Sequence, residues 1–291
     1  MSSEVAAPAM LPRAPSVTFE RIRHALTMTP GFAVHFAVLA VPFVEFTVWS
    51  IPAMFVTAYI TGLGVSVGYH RYFSHRSYKT SRAFQFLIAC VGCASLQNGP
   101  LWWASIHRKH HTHSDEEGDP HSPVLHGFWH SHIGWMMSRK ISQGDYARMK
   151  DFTVYPELVW LNRFFMLPGL LCVAAAYGLM GWNGVVWGYC LGTALAFQVT
   201  LAIGSIGHLW GPQPFDNGDS SRNNRILGIA ALGDGWHNNH HRAPSSAQQG
   251  FRSNEWDLSF NVIRGFRSLG LVWDVKLPPA AALQEANAAA V

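Results

Sequence analysis

The sequence predicts an all-α integral membrane protein: four transmembrane helices in two hairpins, with a cytoplasmic helical cap that holds a histidine-rich di-metal site. Three observations predict it. Charged residues make up only 13% of the 291-residue chain, against 49% hydrophobic residues, whereas a soluble domain carries about 25% charge. Two long stretches, 31–67 and 164–207, are almost or wholly free of charge, and each approaches the length of two spans of roughly 20 residues. The 16 histidines crowd into short clusters just beyond those stretches. In lipid the backbone must satisfy its own hydrogen bonds, so the spans are helical.

Taken in order, residues 1–16 are rich in Ala, Pro and Ser and read as a disordered tail. Residues 1–30 show no apolar core followed by a small-residue cleavage site, so no cleavable signal peptide is expected. Residues 17–29, with Glu20, Arg21, Arg23 and His24, read as a short interfacial helix. The first two spans are expected at about 31–49 and 51–69, with a break at Pro52. Glu45 falls inside the first span. An intramembrane carboxylate is a functional candidate by default; the blander reading is a protonated side chain or one that reaches the far interface. Past Gly68, Tyr69 and His70 come Arg71, His75, Arg76 and Lys79, which place this end in the cytoplasm by the positive-inside rule.

Residues 83–104 are apolar but interrupted by Gln85, Gln97, Asn98, Gly99 and Pro100, and read as half-buried rather than spanning. Residues 139–163 mix both charges and stay on the cytoplasmic side. Spans three and four are expected at about 164–182 and 184–205, turning at Gly181-Trp182-Asn183-Gly184 and returning the chain at His208. A polar segment, 209–277, follows, and 278–291 is an Ala-rich tail. The 12 Trp and 18 Phe suit membrane interfaces. The net charge of +4 comes from dispersed Arg and Lys, which read as membrane anchors and not as a nucleic-acid stripe. Cys90, Cys93, Cys172 and Cys190 lie in apolar surroundings. One CxxC without a second reads as inert buried thiols rather than a zinc site.

The chemistry sits in three clusters. His107, His110 and His111 are spaced i, i+3, i+4, so a helix puts them on one face. The spacing recurs at His237, His240 and His241, and His70 and His75 form a looser pair. Neutral imidazole is a ligand for transition metals. Eight or nine imidazoles are too many for one tetrahedral zinc, and few carboxylates accompany them, so a carboxylate-bridged site is not indicated. An all-histidine di-iron centre is the better match. Ligating histidines need acceptors to fix their tautomers. Asp119 and Asp234 are the candidates for this role, with Asp115, Glu116, Glu117, Asp216 and Asp219 nearby; each reads equally well as a helix cap or solvated charge. His24, His35, His126 and His130 read as structural.

The order His70-Arg71-Tyr72-Phe73-Ser74-His75, His107-Arg108-Lys109-His110-His111 and His237-Asn238-Asn239-His240-His241 resembles the integral-membrane fatty acid desaturases, and more narrowly the acyl-CoA Δ9 (stearoyl-CoA type) family. Flanking Gly68-Tyr69, Asp119-Pro120-His121, Gly134-Trp135, His208-Leu209-Trp210-Gly211 and Gly235-Trp236 agree. The resemblance covers about residues 30–277, within a single membrane domain spanning 17–277. It implies two iron ions held by His70, His75, His107, His110, His111, His208, His237, His240 and His241. It also implies O2-dependent insertion of a cis double bond into a saturated acyl chain. Two positions depart from the family. Gly204 stands where an Asn often binds iron through water, and Asp234 replaces a Glu.

Such an enzyme fixes the acyl chain in a narrow apolar tunnel. Trp102, Trp103, Phe73, Gln97 and Trp210 are candidate lining residues, with interfacial anchoring as the competing reading. Arg71, Arg108 or Lys109 would receive a polar head group. The chain shows no cytochrome b5-like segment, so electrons are expected from a separate ferredoxin, rubredoxin or cytochrome b5-like donor with its reductase. The acyl carrier, CoA or membrane lipid, stays open. A multi-pass membrane protein is expected, in the inner membrane if bacterial, with its metal site on the cytoplasmic side. Two rivals remain: a histidine-box hydroxylase of alkanes, sterols or carotenoids, and a haem-binding membrane electron carrier.

Overall fold

The computed structural model describes residues 17–138 and 141–288; the tail expected at 1–16 lies outside them. Helix α1, Val17–Ala37, runs through Pro30 and continues as a 3-10 turn, Val38–Phe43. The segments expected as an interfacial helix and a first span are therefore one continuous helical run, not two. Pro30 removes only one intrahelical hydrogen bond. The helical run stops at Phe43, short of the expected Trp49, and Glu45 is exposed in the turn that follows.

Helix α2, Ser50–Leu63, passes directly into a π-helical segment, Gly64–Ser74. Next come the short strand β1, Lys79–Thr80, helix α3, Arg82–Cys93, and helix α4, Pro100–Thr112. Pro100 opens α4, where its missing N–H costs nothing. Asn162 caps the same helix end, its Oδ1 accepting from the backbone N–H of Leu101 at 3.1 Å and of Trp102 at 2.9 Å. Two short helices follow, α5, Pro123–His126, and α6, Phe128–His132, and then α7, Pro156–Arg163.

Helix α8, Met166–Asn183, leads through a second π-helical segment, Gly184–Cys190, into α9, Leu191–Ser205. The chain reverses at Gly181, whose φ of 58° and ψ of −147° favour glycine. The returning arm lies against α2, and a Cβ at Gly192 would stand 2.5 Å from the Met54 carbonyl oxygen. Asn183 ties the turns together, donating to the Glu45 carbonyl at 2.6 Å and the Ser50 hydroxyl at 2.8 Å. Among the described residues, two helical stretches are long and apolar enough to cross a membrane, Ser50–Ser74 and Met166–His208; Thr27–Phe43 is apolar but shorter. Phe36, Leu39, Phe43, Phe55 and Leu179 are exposed along these segments, as a lipid-facing surface requires.

The polar remainder forms the cap: α10, Arg225–Ala230, α11, His237–Arg242, α12, Leu258–Ser268, strand β2, Val272–Trp273, and α13, Ala280–Ala288. Strands β1 and β2 pair antiparallel, Lys79 opposite Trp273. The segment read as an Ala-rich tail is largely this last helix. Ala282 and Ala286 are buried against Phe215 and Phe251, and Arg252 donates to the Ala286 carbonyl at 2.8 Å. All four cysteines are free.

Candidate metal centre

The nine histidines that the resemblance implies come together from four elements. His70 lies in the first π segment and His75 just after it. The backbone N–H of His75 bonds the His70 carbonyl, five residues back, at 3.2 Å. That wide turn brings the loose pair onto one face. α4 supplies His107, His110 and His111; the turn after α9 supplies His208; α11 supplies His237, His240 and His241. α11 has only six residues, and its own asparagines anchor it. Asn238 donates to Phe215 and Ser221 carbonyls, both at 3.0 Å. Asn239 donates to Glu255 at 2.7 Å and to the Gln249 carbonyl at 2.9 Å. These two asparagines and Asn223, which accepts from the Asn238 N–H at 3.0 Å, were not singled out from sequence. The polar pair inside the box was the available signal.

The nine divide into two groups. His70, His75, His107, His111 and His240 form one, and His110, His208, His237 and His241 the other; within each, one ligand atom per residue lies within 4.8 Å of all the others. The Nε2 atoms converge. His75 and His107 approach to 2.8 Å, His111 and His240 to 2.9 Å, His70 and His240 to 3.0 Å, and His208 and His237 to 3.0 Å.

The opposite ring nitrogens face acceptors. His70 Nδ1 meets Asp234 at 3.2 Å, His110 Nδ1 meets Asp119 at 3.0 Å, His208 Nδ1 meets Asp115 at 3.1 Å and His241 Nδ1 meets Asp219 at 2.6 Å. Of the carboxylates considered from sequence, Asp115, Asp119, Asp219 and Asp234 touch histidines. Glu116, Glu117 and Asp216 are exposed.

These pairings fix the protons. An imidazole that donates from Nδ1 to a carboxylate presents only a lone pair at Nε2. His208 and His241 both do so, and both face His237 Nε2, which has at most one proton to share. His110 Nε2 is buried with no partner at all. Burial, then the neighbouring histidines, holds the pKa values of His107, His111, His237 and His240 well below the usual imidazole range. Burial likewise lowers His241 to about 4, against the pull of Asp219. Burial alone would raise the Asp115, Asp119 and Asp219 carboxyls, but hydrogen bonds from His208, His110 and His241 keep them well below the carboxylate range. Clustered neutral lone pairs with anions behind them are what a pair of transition-metal cations needs, and the donor set fits iron.

Asp219→Asn is expected to weaken metal binding by the four-histidine group by about 10–100-fold and to spare the other group. Metal titration of the purified variant checks this.

An apolar cavity of about 350 Å³ ends on these groups. Its wall includes Phe55, Tyr59 and Leu195 as well as His70, His107, His110 and His237. Trp102, Trp103 and Gln97, three of the lining candidates from sequence, are in its wall. Trp103 stacks on His107, with ring centroids 5.2 Å apart. Gln97 is held by Thr200 at 3.2 Å. Phe73 lies instead in the cap core, and Trp210 is exposed outside the cavity.

The two arginines expected at a head group are placed elsewhere. Arg71 is fully buried and bonds Asp234 at 2.8 Å and Asp257 at 3.0 Å. Arg108 is clamped by both carboxylate oxygens of Asp151 and by the Phe73 and Ser74 carbonyls. Each follows a box histidine, so helix geometry turns it away from the metal face and into the protein. Among the described residues, no Lys or Arg lines the cavity.

A membrane-associated helical protein with two histidine groups at the end of an acyl-sized cavity is the class these features define. Comparison with known proteins gives the family. Residues 46–253 match the fatty acid desaturase family model, and the chain belongs to that family of oxidoreductases. It is 37% identical over 255 residues to Delta-9 acyl-lipid desaturase 2 of Arabidopsis thaliana, covering 85% of this chain and 81% of the relative. It is 36% identical over 218 residues to the acyl-CoA C20 Delta5-desaturase of Anemone leveillei, covering 74% and 70%. It is 37% identical over 237 residues to the hex-5-enoyl-[acyl-carrier protein] acetylenase of Moorena producens, covering 75% and 74%.

Proposed function

We propose that this desaturase inserts a cis double bond at the Δ9 position of a saturated acyl chain, using dioxygen and two iron ions. The observation that carries this reading is the cavity, whose wall is mostly apolar and which touches both histidine groups. The five-histidine group would hold one iron and the four-histidine group the other. Bound iron supplies the oxidising power to break unactivated C–H bonds. The chain's own residues do the rest. Phe55, Tyr59 and Leu195 take the apolar tail, and Trp102 and Trp103 wall the reacting segment. Holding one carbon pair beside the metals in this way supplies several kcal/mol of the barrier. Asp115, Asp119, Asp219 and Asp234 orient the imidazoles.

Overall, the substrate gives up two hydrogens. A separate ferredoxin, rubredoxin or cytochrome b5-like donor supplies two electrons, solvent supplies two protons, and dioxygen leaves as two waters. The reading includes four spans in two hairpins within one domain, 17–277, and a cytoplasmic metal site. The far-side turns at 44–49 and 181–184 carry one charged residue between them, Glu45, whereas basic residues cluster at the other end of the spans.

Expression in a host lacking Δ9 activity, with gas chromatography and double-bond location, tests the reading. One new monounsaturated acid at carbon 9 supports it, and a hydroxylated product or a different position overturns it. The cavity also sets chain length. Ala58→Leu, near the far end, is expected to move the product profile toward shorter chains while keeping the double-bond position, read by the same chromatography.

A further inference from the structure

The two histidine groups are unequal: one offers five imidazoles and the other four. Beside the smaller group stands a tenth histidine. His121 stacks on His110, with ring centroids 4.4 Å apart and planes 29° apart. Its side chain is 13% exposed, and it borders the same cavity as His110 and His237. Its Nδ1 is buried without a hydrogen-bond partner. The nearest carboxylate oxygen, Asp119 Oδ1, is 3.9 Å away, beyond hydrogen-bond reach, and already accepts the His121 backbone N–H at 3.0 Å. A buried ring nitrogen left unpaired marks the place of a water or an ion.

The room in front of this nitrogen exists because residue 204 is glycine. A Cβ there would stand 3.2 Å from His121 Nδ1 and 3.5 Å from Cε1. Gly204 lies within α9, where helical backbone makes no demand for glycine and its presence costs about 1 kcal/mol relative to alanine. Space, not conformation, is what this glycine supplies.

We propose that His121 serves the four-histidine group through a water held at its Nδ1, filling the position that four imidazoles leave open, with Gly204 providing the room. His121, His110 and Asp119 each offer an atom within 4.8 Å of the others, yet His121 falls outside the set formed by His110, His208, His237 and His241. That placement suits a bridge through water and not a fifth direct ligand. The proposal rests on the two-iron reading above.

Titrating metal-stripped full-length protein with Co(II), and following its visible absorption, tests the proposal without turnover. His121→Phe keeps the ring stacked on His110 and removes both nitrogens. It is expected to leave the first Co(II) equivalent unchanged, to weaken the second by about 10–100-fold, and to shift the absorption of that second site. His121→Gln, which keeps a polar side chain, is expected to recover most of the affinity. Wild-type binding of both equivalents by the Phe variant would overturn the proposal. So would equal weakening of both sites, or a Gln variant no better than Phe, since either points to packing alone. Uptake of fewer than two equivalents by the wild type would sink the two-iron reading, and the proposal with it.

Discussion

Replacing Arg71 with Met is expected to destabilise the protein by about 3–5 kcal/mol, the usual cost of removing one partner from a buried ion pair. The guanidinium is wholly buried and joins Asp234 at 2.8 Å to Asp257 at 3.0 Å. Its Nε also donates to the Ala247 carbonyl at 2.9 Å. Asp234 is the carboxylate behind His70, and Asp257 caps α12 by accepting from the Phe260 N–H at 2.9 Å. Without Arg71, two buried carboxylates would be left without the cation they share. The hydrophobic gain from Met does not offset that. Thermal unfolding of purified protein, read by loss of monodisperse material on heating, measures the effect. Arg71→Met combined with Asp257→Asn removes one of the stranded charges and is expected to recover part of the loss. A single variant as stable as wild type would refute the assignment, and would return Arg71 to the role of a surface cation.

Arg71 also shows where sequence reading stops. Six of the histidines were legible because i, i+3, i+4 spacing means one face on any helix, and two such boxes in one chain are hard to produce by chance; His70 and His75 read only as a looser pair, and His208 entered through the family resemblance alone. The π turn that aligns His70 with His75 was not, since nothing in Gly64–Ser74 marks i→i+5 bonding. An arginine next to a membrane span reads as a surface anchor, because its partner Asp257 lies 186 residues away. The same distance problem blurred the acidic residues. Asp115, Glu116, Glu117 and Asp119 look alike in the sequence, yet only the two aspartates turn inward. The helical stretches were read from composition, but their ends were not: α1 runs through Pro30 because one missing hydrogen bond does not end a helix. Tryptophans were the ambiguous case. Trp102 and Trp103 wall the cavity while Trp210 faces outward, and only tertiary packing separates the two.

His110→Ala is expected to lower turnover by more than about 100-fold, beyond what loss of an orienting carboxylate produces, and to remove one of two bound irons. The argument turns on how the ring is held. Asp119 fixes Nδ1, and Nε2 is buried, unpartnered, and aimed among His208, His237 and His241. The other group keeps all five of its imidazoles, so its iron should stay. Iron analysis can thus separate this outcome from unfolding, which would release both. The ring borders the cavity, so its removal enlarges an existing space and does not open a void in packed core. Asp119 loses its imidazole partner and keeps only the Asp115 and His121 backbone N–H groups, which costs about 1–3 kcal/mol; adding Asp119→Asn relieves that cost without returning a ligand, and should leave turnover just as low. His126→Ala, an exposed histidine outside both groups, serves as the control and should change neither iron content nor product. Retention of both irons and full product by His110→Ala would mean that the four-histidine group is not a metal site, whatever its geometry suggests.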